Sequence, residues 1–336
     1  MVAAALKSPI ASTYPAAIRV ECEREVKDLS DGHAISEARE TEGEIALREK
    51  AAVWTTPRLT LLILSGPDAK GWLQGQVTND LRDLPAGGSM GVCFTKTTGQ
   101  ILDCVRVFEQ EGRLFIPTLN PDVLSERVRD FVIMEDVTLT AFPGVAASIQ
   151  GPAASSHLRT FTDLPPLDVA VSEDTVLLRH DRSGQGGWDL FGAVDTWVEG
   201  LSAANDLDLS STALEAGRVV PHLDGDARTL PPELGDDFAR AHVSHTKGCY
   251  VGQEILHRIY SRGHTNRTWR KLQCAGPVAV GDDVTLAGES LGTVSRAHFS
   301  PDFGWIACGI LRNRGGEVGR RVQVGTSPAE IVDDWL

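Results

Sequence analysis

Apolar residues along this chain recur in two textures. From 58 to 131 and again from 175 to 191, short apolar blocks alternate with helical spacing. Leu59-Thr60-Leu61-Leu62-Ile63-Leu64 is a continuous apolar run and reads as a buried strand. Ser65-Gly66-Pro67-Asp68 breaks it and opens a helix carrying Trp72 and Leu73. Segments 91–95 and 101–108 read as strands joined by the turn Thr97-Thr98-Gly99-Gln100. Strands are expected at 114–117, 137–141, 146–149, 175–180 and 188–191, with helices at 122–131, 195–204 and 211–217. Segments 157–168 and 219–234 read as loop. Strands and helices in alternation predict an α+β layer fold.

The texture changes after 271. Short apolar runs are separated by Gly281-Asp282-Asp283, Gly288, Gly292, Ser300-Pro301-Asp302 and Gly315-Gly316, which predicts a small all-β barrel. The other end differs again. Acidic and basic side chains interleave from Glu21 to Lys50, predicting a mobile start followed by one or two helices. The expected organisation is an extension over 1–48, an α+β module over 49–264 and a barrel over 265–336.

Composition narrows the function classes. The 336 residues are 42% hydrophobic and 23% charged, as in an ordinary soluble globular protein of two or three domains. The net charge of −14 argues against a general nucleic-acid binder. No apolar run is long enough to cross a bilayer, and no secretory leader is evident, so the expected location is cytoplasmic, with no membrane partner. Six cysteines, at 22, 93, 104, 249, 274 and 308, form no CxxC pair and read as reduced thiols. No dinucleotide-binding fingerprint, phosphate loop or zinc-protease motif is present.

The densest chemistry lies in Lys247-Gly248-Cys249-Tyr250-Val251-Gly252-Gln253-Glu254. Val251, Ile255 and Ile259 recur every four residues, so a helix follows, and Gly263 stops it. A cysteine just ahead of a helix, next to a lysine, is placed where the thiolate is favoured. The same residues also fit a tight turn with a small half-buried cysteine.

This octet, continued by Arg258, Arg262 and Gly263, closely resembles the signature of the YgfZ-type folate-binding proteins of the glycine cleavage T-protein superfamily. Ser65-Gly66-Pro67-Asp68 with Leu73–Asp80 resembles that family's N-terminal motif, and Glu215-Ala216-Gly217 its E-A-G element. Gly292-Thr293-Val294, Ser300-Pro301 and Ile306-Ala307-Cys308-Gly309 resemble its C-terminal run. The resemblance implies two α+β subdomains and a β-barrel around a central channel. It also implies tetrahydrofolate as cofactor and iron–sulfur assembly or client proteins as partners.

Under that resemblance Cys249 is the reactive or cluster-contacting thiol, supplying one ligand at a shared surface, because one thiolate alone cannot hold a cluster. Lys247 is either a cation acting on that thiol or a solvated lysine. Gln253 and Glu254 order the site or simply open the helix. Arg258 and Arg262 share a helix face and either receive carboxylates, such as a folate glutamate tail, or form ordinary ion pairs. Asn79 is a pocket group or a helix terminator, and Glu215 is carried over as a folate-binding acid. No metal site is expected among His242, His245, Cys249 and His257.

Asp103 and Asp189 are carried over from the superfamily as well. Relatives of the T-protein type carry paired aspartates after a glycine-rich turn; here Asp103 is kept and Cys104 takes the second place. Asp189 stands where relatives place a pterin-binding carboxylate, and Ala213 where they carry arginine. The expected function is a tetrahydrofolate-binding accessory factor for iron–sulfur proteins. The alternative is a folate-dependent aminomethyltransferase or demethylase, which the loss of the second acid disfavours. A ligand-free scaffold and a cysteine hydrolase are further readings; the hydrolase lacks a nucleophile elbow.

Overall fold

The structure is a computed structural model that describes residues 40–336. The reading of 1–39, including Cys22, lies outside the described residues. In order, the chain forms α1 (Glu42–Glu49), β1 (Ala52–Trp54), β2 (Thr60–Ser65), α2 (Ala69–Gln76), β3 (Ser89–Thr95), β4 (Ile101–Gln110) and β5 (Arg113–Thr118). Then come α3 (Pro121–Phe131), β6 (Thr138–Ala141), β7 (Val145–Gln150), α4 (Ala154–Leu158), β8 (Val169–Val171), β9 (Thr175–Arg179), β10 (Gly187–Gly192) and β11 (Ser202–Ala204). Four helices follow: α5 (Asp206–Glu215), α6 (Pro221–Asp224), α7 (Asp236–His242) and α8 (Gln253–Arg262). The last part is β12 (Arg267–Cys274), β13 (Asp283–Leu286), β14 (Glu289–Thr293), β15 (Arg296–Ser300), β16 (Gly304–Arg312), β17 (Arg321–Val324) and β18 (Ser327–Val332).

These strands make three sheets. The first has order β3-β4-β5-β2-β6 and the second β11-β1-β7-β10-β9-β8. Leu61, Phe108 and Phe115 of the first pack against Trp54, Val176, Leu178 and Phe191 of the second, forming one buried core. The first sheet's other face buries Trp72 and Leu73 of α2 and Leu124 of α3, and the second sheet's other face buries Ala154 and Leu158 of α4. Each such large side chain taken from water stabilises by about 1.5–3 kcal/mol. The result is a helix–sheet–sheet–helix sandwich.

The third sheet, β14-β13-β17-β18-β12-β16-β15, curls on itself as a half-barrel. Its end strands β14 and β15 do not pair with each other; β14 folds over β16 so closely that a Cβ on Gly309 would lie 2.3 Å from the Thr293 carbonyl oxygen. Leu214 of α5 packs on Trp269, Ile306 and Cys308 of this sheet. Cys93, Leu234 and Phe238, with Ile101, Cys104 and Ile310, join it to the first sheet.

Four expectations change. The helix expected over 195–204 is a short 3₁₀ turn, Asp195–Trp197, followed by β11. Residues 202–204 pair in parallel with β1, a long-range partner that outweighs the local helical preference of alanine. The helix expected from 211 begins at Asp206, because Asn205 and Asp208 form a reciprocal capping box. The 219–234 loop contains α6 and a 3₁₀ turn, Pro231–Leu234, each opened by a proline in its first turn. The loop expected over 157–168 opens inside α4.

Candidate functional site

Lys247 anchors the octet. Its ammonium donates to the carbonyls of Gln74, Val77 and Asn79, each at 2.7 Å, and lies 5.0 Å above the Tyr250 ring. Those carbonyls are left open where α2 ends, and the lysine closes them as a cap. Burial pulls its pKa down to about 8. A lysine has three donors and all three are used, so its ammonium does not hydrogen-bond the Cys249 sulfur. Lys247 is buried, so it is not the solvated lysine that was the other expectation.

Around this anchor the loop is pinned to the first sheet. Thr95 Oγ1 donates to the Val251 carbonyl at 2.6 Å, and the Val251 N–H reaches the Gly75 carbonyl at 3.3 Å. Gly252 turns the chain with φ 87°; a Cβ there would sit 2.6 Å from Thr95 Oγ1 and 2.7 Å from the Lys96 carbonyl oxygen. Only glycine combines that dihedral with that approach. Gly252 caps α8, so Cys249 precedes the helix by four residues and lies beyond the first turn, where the peptide dipoles act. Cys249 is exposed, presented to solvent on a rigidly held loop.

Gln253 and Glu254 occupy the first turn of α8. Gln253 Nε2 makes a long 3.5 Å contact with the Lys247 carbonyl, and Glu254 accepts from Arg258 Nη2 at 2.9 Å. Arg258 is therefore in an exposed i,i+4 ion pair, and Arg262 lies in the last turn, where a cation complements the helix end. Asn79 spends its amide on backbone: Nδ2 donates to Gly91 and Ala241 carbonyls at 3.0 and 2.9 Å, and Oδ1 accepts from Asp80 N–H at 3.0 Å. Both ends of the amide are thus committed to backbone groups.

Asp189 is fully buried on β10. Arg182 grips it with Nε at 2.8 Å and Nη2 at 2.7 Å; Ser148 Oγ donates at 2.7 Å, and His180 Nδ1 lies at 2.9 Å. Burial raises its pKa, but the Arg182 and His180 charges outweigh that and hold the carboxyl well below its usual range. Each oxygen already has two partners, so Asp189 offers no open acceptor in this arrangement. Glu215, at the end of α5, sits 3.4 Å from His298 Nε2 and 3.7 Å from Arg48 Nη1. It lies between α1, α5 and the half-barrel, and its Oε1 is buried with no hydrogen-bond partner among the described residues.

Asp103 is different. Its carboxyl accepts one side-chain hydrogen bond, from Thr118 Oγ1 at 2.8 Å, and burial pushes its pKa up to about 6. A carboxyl with that pKa exchanges protons near neutrality. Nearby strands carry a group of cations that the sequence analysis did not single out. Arg106 on β4 donates its Nε to Ser89 Oγ at 2.8 Å, while its terminal nitrogens have no hydrogen-bond partner among the described residues. Arg106 feels Arg218, Asp168 and Asp181, and His180 feels both Arg106 and Arg182. Burial, then Arg58 and Arg182, push the His222 pKa down to about 4. These side chains, from both sheets and from α6, sit in a mixed field in which Arg58, Arg106, Arg182 and Arg218 are accompanied by Asp168, Asp181, Asp189, Asp206 and Asp224. Among the described residues no group of three or more His, Cys, Asp or Glu side chains is arranged to hold a metal ion.

No family model matches the chain. The tRNA-modifying protein YgfZ of Klebsiella pneumoniae is 30% identical over 244 residues, covering 67% of this chain and 73% of that protein. The chain belongs to the YgfZ family. An aminomethyltransferase of Rubrobacter xylanophilus is 27% identical over 282 residues, covering 77% of this chain and 75% of its own length. The crystal structure of glycine cleavage system aminomethyltransferase T from Bartonella henselae superposes with a TM-score of 0.77 over 92% of this chain and 94% of that one, at 18% identity. The fold of this YgfZ-family chain is therefore that of the glycine cleavage T-protein.

Among the residues missed by sequence, Arg127 had a readable signal. It falls on the apolar face of α3 with Leu124 and is buried, where a cation is out of place unless paired. It donates to the Thr95 carbonyl and to Gln76 Oε1, bracing the strand end on which the octet rests. Arg106, Arg182 and His222 carried no comparable signal, because their neighbours are distant in sequence.

Proposed function

We propose that this protein binds a reduced folate in a cleft beside Arg106, between the two sheets, and assists iron–sulfur proteins through the exposed thiol of Cys249. The observation that carries the reading is membership in the YgfZ family, and the unpartnered guanidinium end of Arg106 supports it. A folate ends in a glutamate with two carboxylates, and Arg106 has the free guanidinium donors to receive one. Asp103 lies on the opposite face of β4 from Arg106, beside Thr118, so it does not share a ligand held by Arg106. When bound, the folate supplies a carrier for a one-carbon unit. Asp189 would meet the pterin only if Arg182 or His180 released it.

Cys249 then serves a protein partner. It is exposed and stands outside the cleft residues' hydrogen-bond network, as a single ligand or exchange thiol needs to be. The curated YgfZ relatives are named as tRNA-modifying. With a net charge of −14, direct RNA binding is the less favoured route here, so an effect on tRNA would run through a protein client.

Tetrahydrofolate at about 100 times its Kd should stabilise the chain by about 2.7 kcal/mol, visible as a raised melting temperature. An unchanged melting temperature at millimolar tetrahydrofolate removes the folate half of the proposal. Cys249→Ala should keep the fold and the folate response while losing support of a cluster-dependent enzyme. Full support from that variant removes the thiol half.

Aminomethyl transfer is the second reading, favoured by the raised pKa of Asp103 alone. It predicts turnover of a methylamine-type substrate with formation of methylene-tetrahydrofolate, abolished in Asp103→Asn.

A further inference from the structure

Strands β3 and β4 set Cys93 directly opposite Cys104 in the antiparallel register. Their sulfur atoms lie 2.9 Å apart, with both cysteines free. Directly opposed residues in an antiparallel pair have Cα atoms about 4.5–5.5 Å apart. That falls within the roughly 4.4–6.8 Å that a disulfide spans, so a bond can close without moving the strands. A bonded pair of sulfurs needs about 2.05 Å, which side-chain rotation alone can supply. Among the described residues no other two cysteine sulfurs are in contact. Cys274 donates to the Leu272 carbonyl, and Cys308 faces Asp224.

The surroundings support a reactive pair as well as a packed one. Cys93 is fully buried against Leu234 and Phe238, and its N–H is fixed by Thr78 Oγ1 at 2.9 Å. Cys104 is the less covered residue of the two, although its sulfur is buried as well. Two residues further along β4, on the same face, is Arg106. Cys104 is thus the thiol a small molecule meets first once local opening uncovers it, with Cys93 behind it.

We propose that Cys93 and Cys104 form a redox-active cross-strand dithiol beside Arg106, which closes to an intramolecular disulfide by exchange with a small-molecule disulfide. The Cys104 sulfur, as thiolate, attacks one sulfur of the incoming disulfide. One S–S bond breaks, a mixed disulfide forms, and the first small thiolate leaves with the proton that Cys104 gave up. The Cys93 thiolate then attacks the Cys104 sulfur and expels the second small thiolate, which takes the second proton. The protein loses two electrons and two protons, and one small disulfide becomes two thiols. Burial first, and then the neighbouring Cys93, push the Cys104 thiol well above its ordinary pKa, so little of it is thiolate at neutral pH and the exchange is slow. This modification site does not depend on the folate reading.

The test uses the full chain and bis(2-hydroxyethyl) disulfide. After incubation the protein is denatured in acid, alkylated with iodoacetamide and digested with trypsin without reduction. Trypsin cuts after Arg82, Lys96 and Arg106, so the two cysteines fall on separate peptides, 83–96 and 97–106. The expected product is these two peptides joined, two hydrogens lighter than their sum, and separated by a reducing phosphine. Cys93→Ser should instead accumulate Cys104 as a mixed disulfide with mercaptoethanol. Cys249→Ser should form the joined peptides as the natural chain does. The proposal is overturned if both cysteines remain alkylatable once exposed Cys249 is fully converted to its mixed disulfide. It is also overturned if the bond that forms joins Cys22 or Cys249 to either of them. Should the serine variant not fold, the result on the natural chain still decides.

Discussion

Arg296 and Asp224 meet edge to edge: the guanidinium Nε donates to Oδ1 and Nη2 to Oδ2, both at 2.8 Å. The arginine belongs to β15 of the half-barrel and the aspartate to α6, and both are buried. Ser295 Oγ and the Val220 N–H take the remaining acceptor positions at 2.9 and 2.8 Å, and Arg296 also caps the Arg218 and Ser210 carbonyls. Removing one partner leaves the other charged and unpaired. Arg296→Met should therefore cost about 3–5 kcal/mol in a denaturant melt. A loss below about 1 kcal/mol would show that water reaches the pair.

Lys247→Met exposes what the lysine does. Three buried carbonyls lose a charged donor, which should lower stability by about 3 kcal/mol. An unchanged melting temperature would show that water satisfies those carbonyls without the lysine.

The Asp103 carboxyl should show itself in pH dependence. Its pKa in the fold is about 6, raised by burial from 3.8. The stability it contributes is full below the unfolded pKa and is lost as pH rises through about 6. The natural chain should therefore weaken relative to Asp103→Asn between pH 4 and pH 7.5, by up to about 3 kcal/mol. Equal differences in melting temperature at both pH values would contradict the raised pKa.

Asp189→Asn tests whether the closed network is structural. Arg182 would stay behind with reduced compensation, costing about 3–5 kcal/mol. If the network opens for a ligand, the variant should also lose tetrahydrofolate affinity by more than its stability loss explains. Calorimetry on the folded variant reads this directly, and an unchanged Kd would exclude Asp189 from the site.

Arg258 has a smaller stake. The exposed pair with Glu254 should be worth about 0.3–0.5 kcal/mol in a double-mutant cycle. Arg258→Ala should leave tetrahydrofolate binding within twofold. A tenfold loss would place the arginine on the ligand and not on its helix neighbour.

Much of the fold was legible because its signals are local. The apolar block of β2, the turn between β3 and β4, and the glycine that ends α8 all act through neighbouring residues. The helix expected at 195–204 failed because β1 offers residues 202–204 a backbone partner some 150 positions away in sequence. Helix α7 went unread because Asp236–His242 buries only Phe238, too little for a periodic apolar stripe.

The site divides in the same way. The octet was visible in sequence because Lys247, Gly252 and Gln253 sit at fixed spacings around Cys249, and those spacings set the turn and the helix start. What each side chain does was decided by tertiary structure. Lys247 turned to the end of α2 and Asn79 to backbone, since an unpaired buried carbonyl costs more than any one local preference gains. The Cys93–Cys104 contact and the charges around Arg106 come together only once the strands have paired. Charges and sulfurs interact through space, and chain order does not carry their distances.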